Sequence, residues 1–347
     1  MIPAMRAVRL HAAGQPVCDE TVPDARPAEG EVLVRVEAAG ICHTDAHYRK
    51  DPGRARLPVT PGHEIAGVVV EKAPGVESPV AGDRVAVHYL VGCGDCRYCR
   101  AGAERFCARV EMIGKERDGG WAETIAVPAQ NAVAVPDAVS FAEAAIMMCS
   151  SATALHALRL AHVRPGESVL ISGFGGLGVS AVQLAGVLGA GAVLVADIVP
   201  GKLAAARDFG AHPLDASDPG FADALAAATG GRGVDVAVDF AGTPASRAAA
   251  LRALAPEGRL VIVALDARPF PLDPYRDVLA GERRIIGCSD HTRGDLDELM
   301  GLAAAGSIDL SRAITRTVPL EARAINAVLD DLAGGTSHLR TVVLPFS

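Results

Sequence analysis

The sequence predicts an α/β protein in two parts: a β-rich region over residues 1–150 and a doubly wound parallel sheet over 151–290, with 291–347 returning to the first part. Three observations carry this. Before residue 150, short apolar runs alternate with Gly/Pro turns, as in "EVLVRVEAAG", "EIAGVVVEK", "GDRVAVHYL" and "ETIAVPAQNAVAVP". From residue 168 onward, strand-like and helix-like stretches take turns, the pattern of a parallel sheet with crossover helices. The chain has 347 residues, a length that suggests about two domains.

Composition narrows the function classes. Hydrophobic residues make up 50% and charged residues 21%, and the net charge is −8. These values fit a packed globular chain and not a disordered one. No Lys/Arg-rich block is present, which argues against a nucleic-acid partner. The opening "MIPAMRAVRLHAAG" lacks the apolar core of a signal peptide. The apolar stretch 168–195 is broken by glycines and polar residues, so no membrane span is expected. A cytoplasmic, reducing setting follows as the expectation, and there a cysteine cluster points to metal more than to disulfides.

In chain order, the first chemistry-bearing stretch is "GICHTDAHY" (40–48), with Cys42, His43, Thr44, Asp45 and His47. "PGHEIAG" (61–67) adds His63 and Glu64. Next comes "GCGDCRYCRAGAERFC" (92–107), spaced Cys93-x2-Cys96-x2-Cys99-x7-Cys107. Four soft thiolates in a glycine-rich loop suit tetrahedral zinc, and a four-cysteine zinc has no open position for chemistry. An iron–sulfur cluster also repeats C-x2-C, but its bacterial motif closes with C-x3-C-P rather than a seven-residue gap. Disulfides or unliganded thiols are the other readings. "MMCSSATALHAL" (147–158) supplies Cys149, expected on a helix at the domain boundary. Cys42, His63 and Cys149 are of the donor types that a catalytic zinc with one open position uses, but they lie too far apart in sequence for spacing alone to join them. Taken singly, each reads as an ordinary core cysteine or hydrogen-bonded histidine.

"SVLIS" then reads as a buried parallel strand. It leads into Gly173-Phe174-Gly175-Gly176-Leu177-Gly178 and a helical stretch. A second strand, "AVLVA", ends at Asp197, 24 positions after Gly173, near the offset of about 20 of a dinucleotide fingerprint. Glycines there allow a tight turn and a close approach of pyrophosphate to the helix N-terminus. Asp197 would hold the adenosine ribose and repel a 2′-phosphate, and no arginine follows directly, which favours NAD over NADP. "VDVAVDF" (234–240), "GRLVIVAL" (258–265) and "RRIIGC" continue as strands, with helices expected at 201–209, 219–229, 244–254 and 294–305. "DFAG" (239–242) ends a strand, where ligands sit in such sheets.

Taken in order, "GICHTD", "GHE", the four-cysteine lobe and "GFGGLG" resemble the zinc-containing medium-chain alcohol dehydrogenases along essentially the whole chain. The resemblance implies a GroES-like catalytic domain and a Rossmann NAD-binding domain. It implies two zinc ions per chain, a catalytic one on Cys42, His63 and Cys149 and a structural one on Cys93, Cys96, Cys99 and Cys107. It places Thr44 beside the substrate oxygen and gives His47 the passage of the proton to solvent. Asp45 stands behind His63, and Glu64 is open to two roles, alternative ligand or supporting group. His43 and Arg340 are assigned to the cofactor pyrophosphate, and Lys202 to the same ribose as Asp197. Tyr89 and Trp121 are candidates to line the pocket or to pack the core. The implied reaction is oxidation of a small alcohol to an aldehyde or ketone and the reverse, a zinc-bound alkoxide giving hydride to nicotinamide, in a homodimer or homotetramer. The competing readings are a zinc-free enoyl or quinone reductase of the same superfamily and a non-catalytic NAD-binding scaffold. Cys18 and Cys288 are left without a role.

Overall fold

A computed structural model describes residues 4–335 and 338–347. The chain divides into two compact units, residues 1–152 with 291–347, and 153–290.

The first unit is built on a seven-stranded sheet. Its order is Ile314–Pro319, Arg340–Leu344, Glu31–Ile41, Glu64–Lys72, Arg84–Val87 and Ala132–Ala134, with Thr124–Pro128 also pairing Glu31–Ile41. The long strand Glu31–Ile41 is central because its Val32, Val34 and Val36 alternate into the core with no exposure. Gly40 pairs with Glu64, and Ile41 pairs with Thr341. This register brings Cys42, the His63–Glu64 pair and Arg340 to one end of the sheet.

The second unit holds a six-stranded, all-parallel sheet ordered His212–Asp215, Ala192–Asp197, Ser168–Ser172, Val234–Asp239, Leu254–Ile262 and Arg284–Gly287. The chain winds outward from Ser168–Ser172 to both sides, so the order reverses between that strand and Val234–Asp239. Helices Gly176–Val187, Pro200–Asp208, Phe221–Ala228 and Pro244–Arg252 supply the crossovers. All five residues of "SVLIS" are buried, as a strand covered on both faces requires.

One expectation needs correction. "GRLVIVAL" was expected to run as a strand through Leu265, but the strand ends at Ile262, because the following carbonyls are taken by a buried arginine described below. Among the described residues, the helical stretch Phe141–Leu160 has the length and apolarity to cross a membrane, and 83% of its apolar window is buried inside the protein. That burial is the pattern of a core helix.

Candidate functional site

Cys42 ends the strand Glu31–Ile41 and caps the helix His43–Lys50. Asp45, in the first turn, reaches back so that Cys42 N–H donates to its Oδ2 at 2.8 Å. The other oxygen, Oδ1, lies 3.0 Å from His63 Nδ1. One buried carboxylate therefore fixes both the start of the helix and the orientation of the His63 ring. His63 follows Gly62, which has φ +91° and packs so closely on Trp121 that a Cβ would lie 2.5 Å from the indole. That contact locks the "PGHE" turn.

Cys149 arrives by a different route. The helix starting at Phe141 changes to a wider π-type turn over Met147–Ser151 before resuming as Ala152–Leu160. Such turns recur at functional sites because the extra residue re-aims a side chain. Here Cys149 Sγ stands 4.0 Å from Cys42 Sγ. One donor atom each from Cys42, His63, Glu64 and Cys149 falls within 4.8 Å of all the others, and all four residues are buried.

The donors fit a thiolate-binding metal. Two sulfurs on one tetrahedral ion at about 2.3 Å stand about 3.8 Å apart, close to the distance found. His63 Nε2 is buried with no hydrogen-bond partner, and so is Glu64 Oε1. Buried polar atoms left this way ask for a ligand. The electrostatics agree. Cys42 is held well below the usual thiol range, first by the Cys149 thiol and also by His63 and Arg340. Cys149 is pushed well up by the Cys42 sulfur and by burial. Burial pulls His63 down, but the Asp45 carboxylate overrides it and raises it well above its ordinary value. Burial lifts Glu64 to about 8 against the opposing pull of Arg340. Arg340, 5% exposed, donates to Glu64 Oε2, so its guanidinium is turned to the back of this set.

Around the set, Thr44 Oγ1 lies 3.6 Å from Cys42 Sγ. His43 and His47 are exposed, one helical turn apart, with ring centroids 4.8 Å apart. Tyr89 is buried edge-on to His63 at 5.1 Å. Trp121 is wholly buried against Gly62 and belongs to the core of this unit.

The four-cysteine lobe is a separate cluster, with its four sulfurs within 4.8 Å of one another. Cys96 and Cys99 lie 3.5 Å apart, Cys93 and Cys99 3.8 Å. These are spacings of ligands around one ion, well beyond a disulfide bond of about 2.05 Å. Amide donors lower Cys96 to about 6, the Cys99 backbone N–H first among them, while burial first and the neighbouring sulfurs push Cys99 to about 12.

In the second unit, Gly175 caps the helix Gly176–Val187 with no side chain on the cap, leaving first-turn amides open for an anion. A Cβ on Gly178 would lie 2.2 Å from Gly173 O, so this helix can meet its strand so closely only with glycine there, while Gly175 has nothing within 4 Å. Leu177 is in the same first turn. Asp197 ends the neighbouring strand, and its carboxylate accepts the N–H groups of Phe174, Ile198 and Val199. Lys202 lies in the first turn of the helix Pro200–Asp208.

A doubly wound sheet with a glycine turn at its order reversal, in a chain whose other unit carries a buried thiol–imidazole set, defines an oxidoreductase of the medium-chain dehydrogenase/reductase type. Residues 28–137 match the alcohol dehydrogenase GroES-like domain, and residues 176–305 match the zinc-binding dehydrogenase family. An alcohol dehydrogenase of Geobacillus stearothermophilus is 36% identical over 345 residues, covering 98% of this chain and 99% of its own. An NAD-dependent alcohol dehydrogenase of Sulfurisphaera tokodaii is 32% identical, covering 98% and 100%. A solved structure from Sinorhizobium meliloti 1021, bound to NADP, is 30% identical with a TM-score of 0.89 over 99% of each chain. This chain belongs to the zinc-binding alcohol dehydrogenase family.

Proposed function

We propose that the protein catalyses the NAD-linked, zinc-dependent oxidation of a small alcohol to an aldehyde or ketone, and the reverse. The observation that carries this is the buried set Cys42, His63, Cys149 and Glu64, with His63 Nε2 and Glu64 Oε1 unpartnered and facing the same space. Bound there, zinc supplies Lewis acidity toward the substrate oxygen, and NAD supplies the hydride acceptor.

The chain's own residues do the rest. Asp45 holds His63 in the tautomer that presents Nε2 to the site. Thr44 Oγ1, beside Cys42, takes the substrate's hydroxyl proton, and His47, exposed on the same helix, passes it to solvent. Glu64 stays behind the ligands, held by Arg340, with one oxygen free to approach the metal. In the other unit, the first-turn amides after Gly175 take the pyrophosphate, and Asp197 and Lys202 take the adenosine ribose. The anchored Asp197 carboxylate supports NAD over NADP, because a 2′-phosphate there would face a fixed negative charge. The lobe of Cys93, Cys96, Cys99 and Cys107 takes a second, structural zinc.

Two further readings go with this one. Six thiols committed to metal suit a reducing compartment, the cytoplasm. A homodimer or homotetramer is supported by the strand Arg284–Gly287, an edge of its sheet, with Ile285 exposed and Leu272, Tyr275 and Leu279 exposed shortly before it.

The test is a screen of NADH absorbance over primary alcohols, secondary alcohols and polyols, with NADP as control and metal content measured alongside. Two zincs per chain and alcohol-dependent NADH formation are expected. One zinc with enoyl or quinone reduction, or NADH binding with no turnover on any alcohol, would overturn the proposal.

A further inference from the structure

The second unit contains a buried ion pair outside every site described so far. Asp239, fully buried, ends the strand Val234–Asp239. Arg247, 4% exposed, lies in the helix Pro244–Arg252 with its Nε 3.4 Å from Asp239 Oδ2. Asp239 also accepts the Ser246 hydroxyl at 2.8 Å and the Gly242 N–H at 3.2 Å. The rest of the guanidinium is spent on one short loop. Arg247 donates to the carbonyls of Ala264 at 2.9 Å, Asp266 at 3.0 Å and Arg268 at 3.4 Å. The amides of Val263 and Ala264 turn back to Asp239 O. One arginine thus ties the loop after Val234–Asp239 to the loop after Leu254–Ile262, and it explains why the second strand stops at Ile262.

Burying such a pair is costly. Burial alone pushes the Asp239 carboxyl above the usual range. A well-packed apolar pair would often serve stability as well or better, so the pair makes sense as a device that fixes backbone position. The sheet says what that position is for. Ligands of doubly wound sheets lie outside the carboxyl ends of the strands at the order reversal, here between Ser168–Ser172 and Val234–Asp239. Asp197 lies on one side of the glycine turn, toward Ala192–Asp197. The other half of a dinucleotide then falls over the carboxyl ends of Val234–Asp239 and Leu254–Ile262, the two loops that Arg247 joins. The same clamp holds Leu265, between two pinned carbonyls, out at 73% exposure.

We infer that Arg247, paired with Asp239, is the positioning residue for the nicotinamide end of the cofactor: it pre-shapes residues 263–268 so that this half of NAD meets an ordered backbone. The inference rests on the NAD reading above. Pre-shaping removes the ordering cost that a loose loop would charge against binding.

The experiment compares ADP-ribose, which lacks the nicotinamide, with NADH by calorimetry on zinc-loaded protein. The variant is Asp239→Asn with Arg247→Met, which removes both charges together. It should bind ADP-ribose within about twofold of the parent and NADH about tenfold more weakly, with faster amide exchange confined to 263–268. Arg247→Lys, which keeps the charge but loses the fork, should fall between, and the same comparison is read on it where the double variant does not fold. Equal weakening of both ligands, or unchanged NADH affinity, would overturn the inference alone. A parent that binds neither ligand would overturn the NAD reading and the inference with it.

Discussion

The two cysteine-bearing clusters of the first unit are opposites in construction. The lobe draws four cysteines from sixteen consecutive positions, Gly92 to Cys107, and Cys93, Cys96 and Cys99 are only half-buried. The other set draws Cys42 and Cys149 from positions 107 residues apart, adds His63 and Glu64, and is buried throughout. Carboxylates differ too. Asp95, beside Cys93, is exposed and paired with the exposed Arg109. Asp45 and Glu64 are buried and each touches either a ligand or the arginine behind one. A local, all-thiol cage closes on its ion and can hold a loop in shape. A set assembled from strand end, turn and helix, with a tuned carboxylate behind it, can leave a position open for substrate.

The largest effect should come from breaking the quiet set. Cys42→Ala should lose one zinc per chain and cut turnover by at least about a thousandfold. NADH binding, followed by fluorescence quenching, should survive because the glycine turn is in the other unit. Near-normal turnover in this variant would show that the division of labour is wrong. Asp45→Asn is a milder break. It keeps a side chain of the same shape beside His63 but removes the charge, and zinc affinity at this set alone should fall by about 10–100-fold in a chelator competition.

Cys99→Ser should act on the other side of the comparison. Melting temperature should fall by roughly 10 °C, as for a loss of about 3 kcal/mol, and assembly read by light scattering should weaken. Turnover per folded chain should stay within about threefold of the parent. A stable, assembled variant that had lost only turnover would reverse the roles of the two clusters.

How far each cluster was legible follows from the same contrast. The clustering of Cys93 to Cys107 is readable from spacing alone, because two-residue gaps bring neighbouring thiols together. Cys149 is not, since its part depends on a π-type turn in "MMCSS", a stretch with no Gly or Pro to mark it. Only the family resemblance pointed to it. Both strands with Cys42 and His63 at their ends were legible from alternation. The edge strand His212–Asp215 was missed, being four residues with a proline and only Leu214 buried. Arg247 was missed for the opposite reason: an arginine in a helical run reads as solvated, and only the fold reveals the carboxylate and three carbonyls around it.

The smallest predicted effect tests whether the two clusters are independent. Between them runs a chain of contacts: Glu104, in the lobe, accepts from buried His88 at 2.7 Å, and the neighbouring Tyr89 ring stands edge-on to His63. The bond to His88 holds the Glu104 carboxyl below its ordinary value, against partial burial. A carboxyl lowered on folding adds stability at pH above its unfolded value of about 4.3 and loses that contribution as pH falls through its folded value. Glu104→Gln should therefore destabilise at neutral pH by about 0.5 kcal/mol, the scale of a single ion pair. Parent and variant melting temperatures should converge as the pH is lowered below about 4. If the clusters act separately, turnover and the zinc content of both sites stay unchanged. A fall in turnover of more than about threefold with both zincs retained would mean that the contact chain carries strain to His63, and the lobe would have to be counted as part of the active site's support.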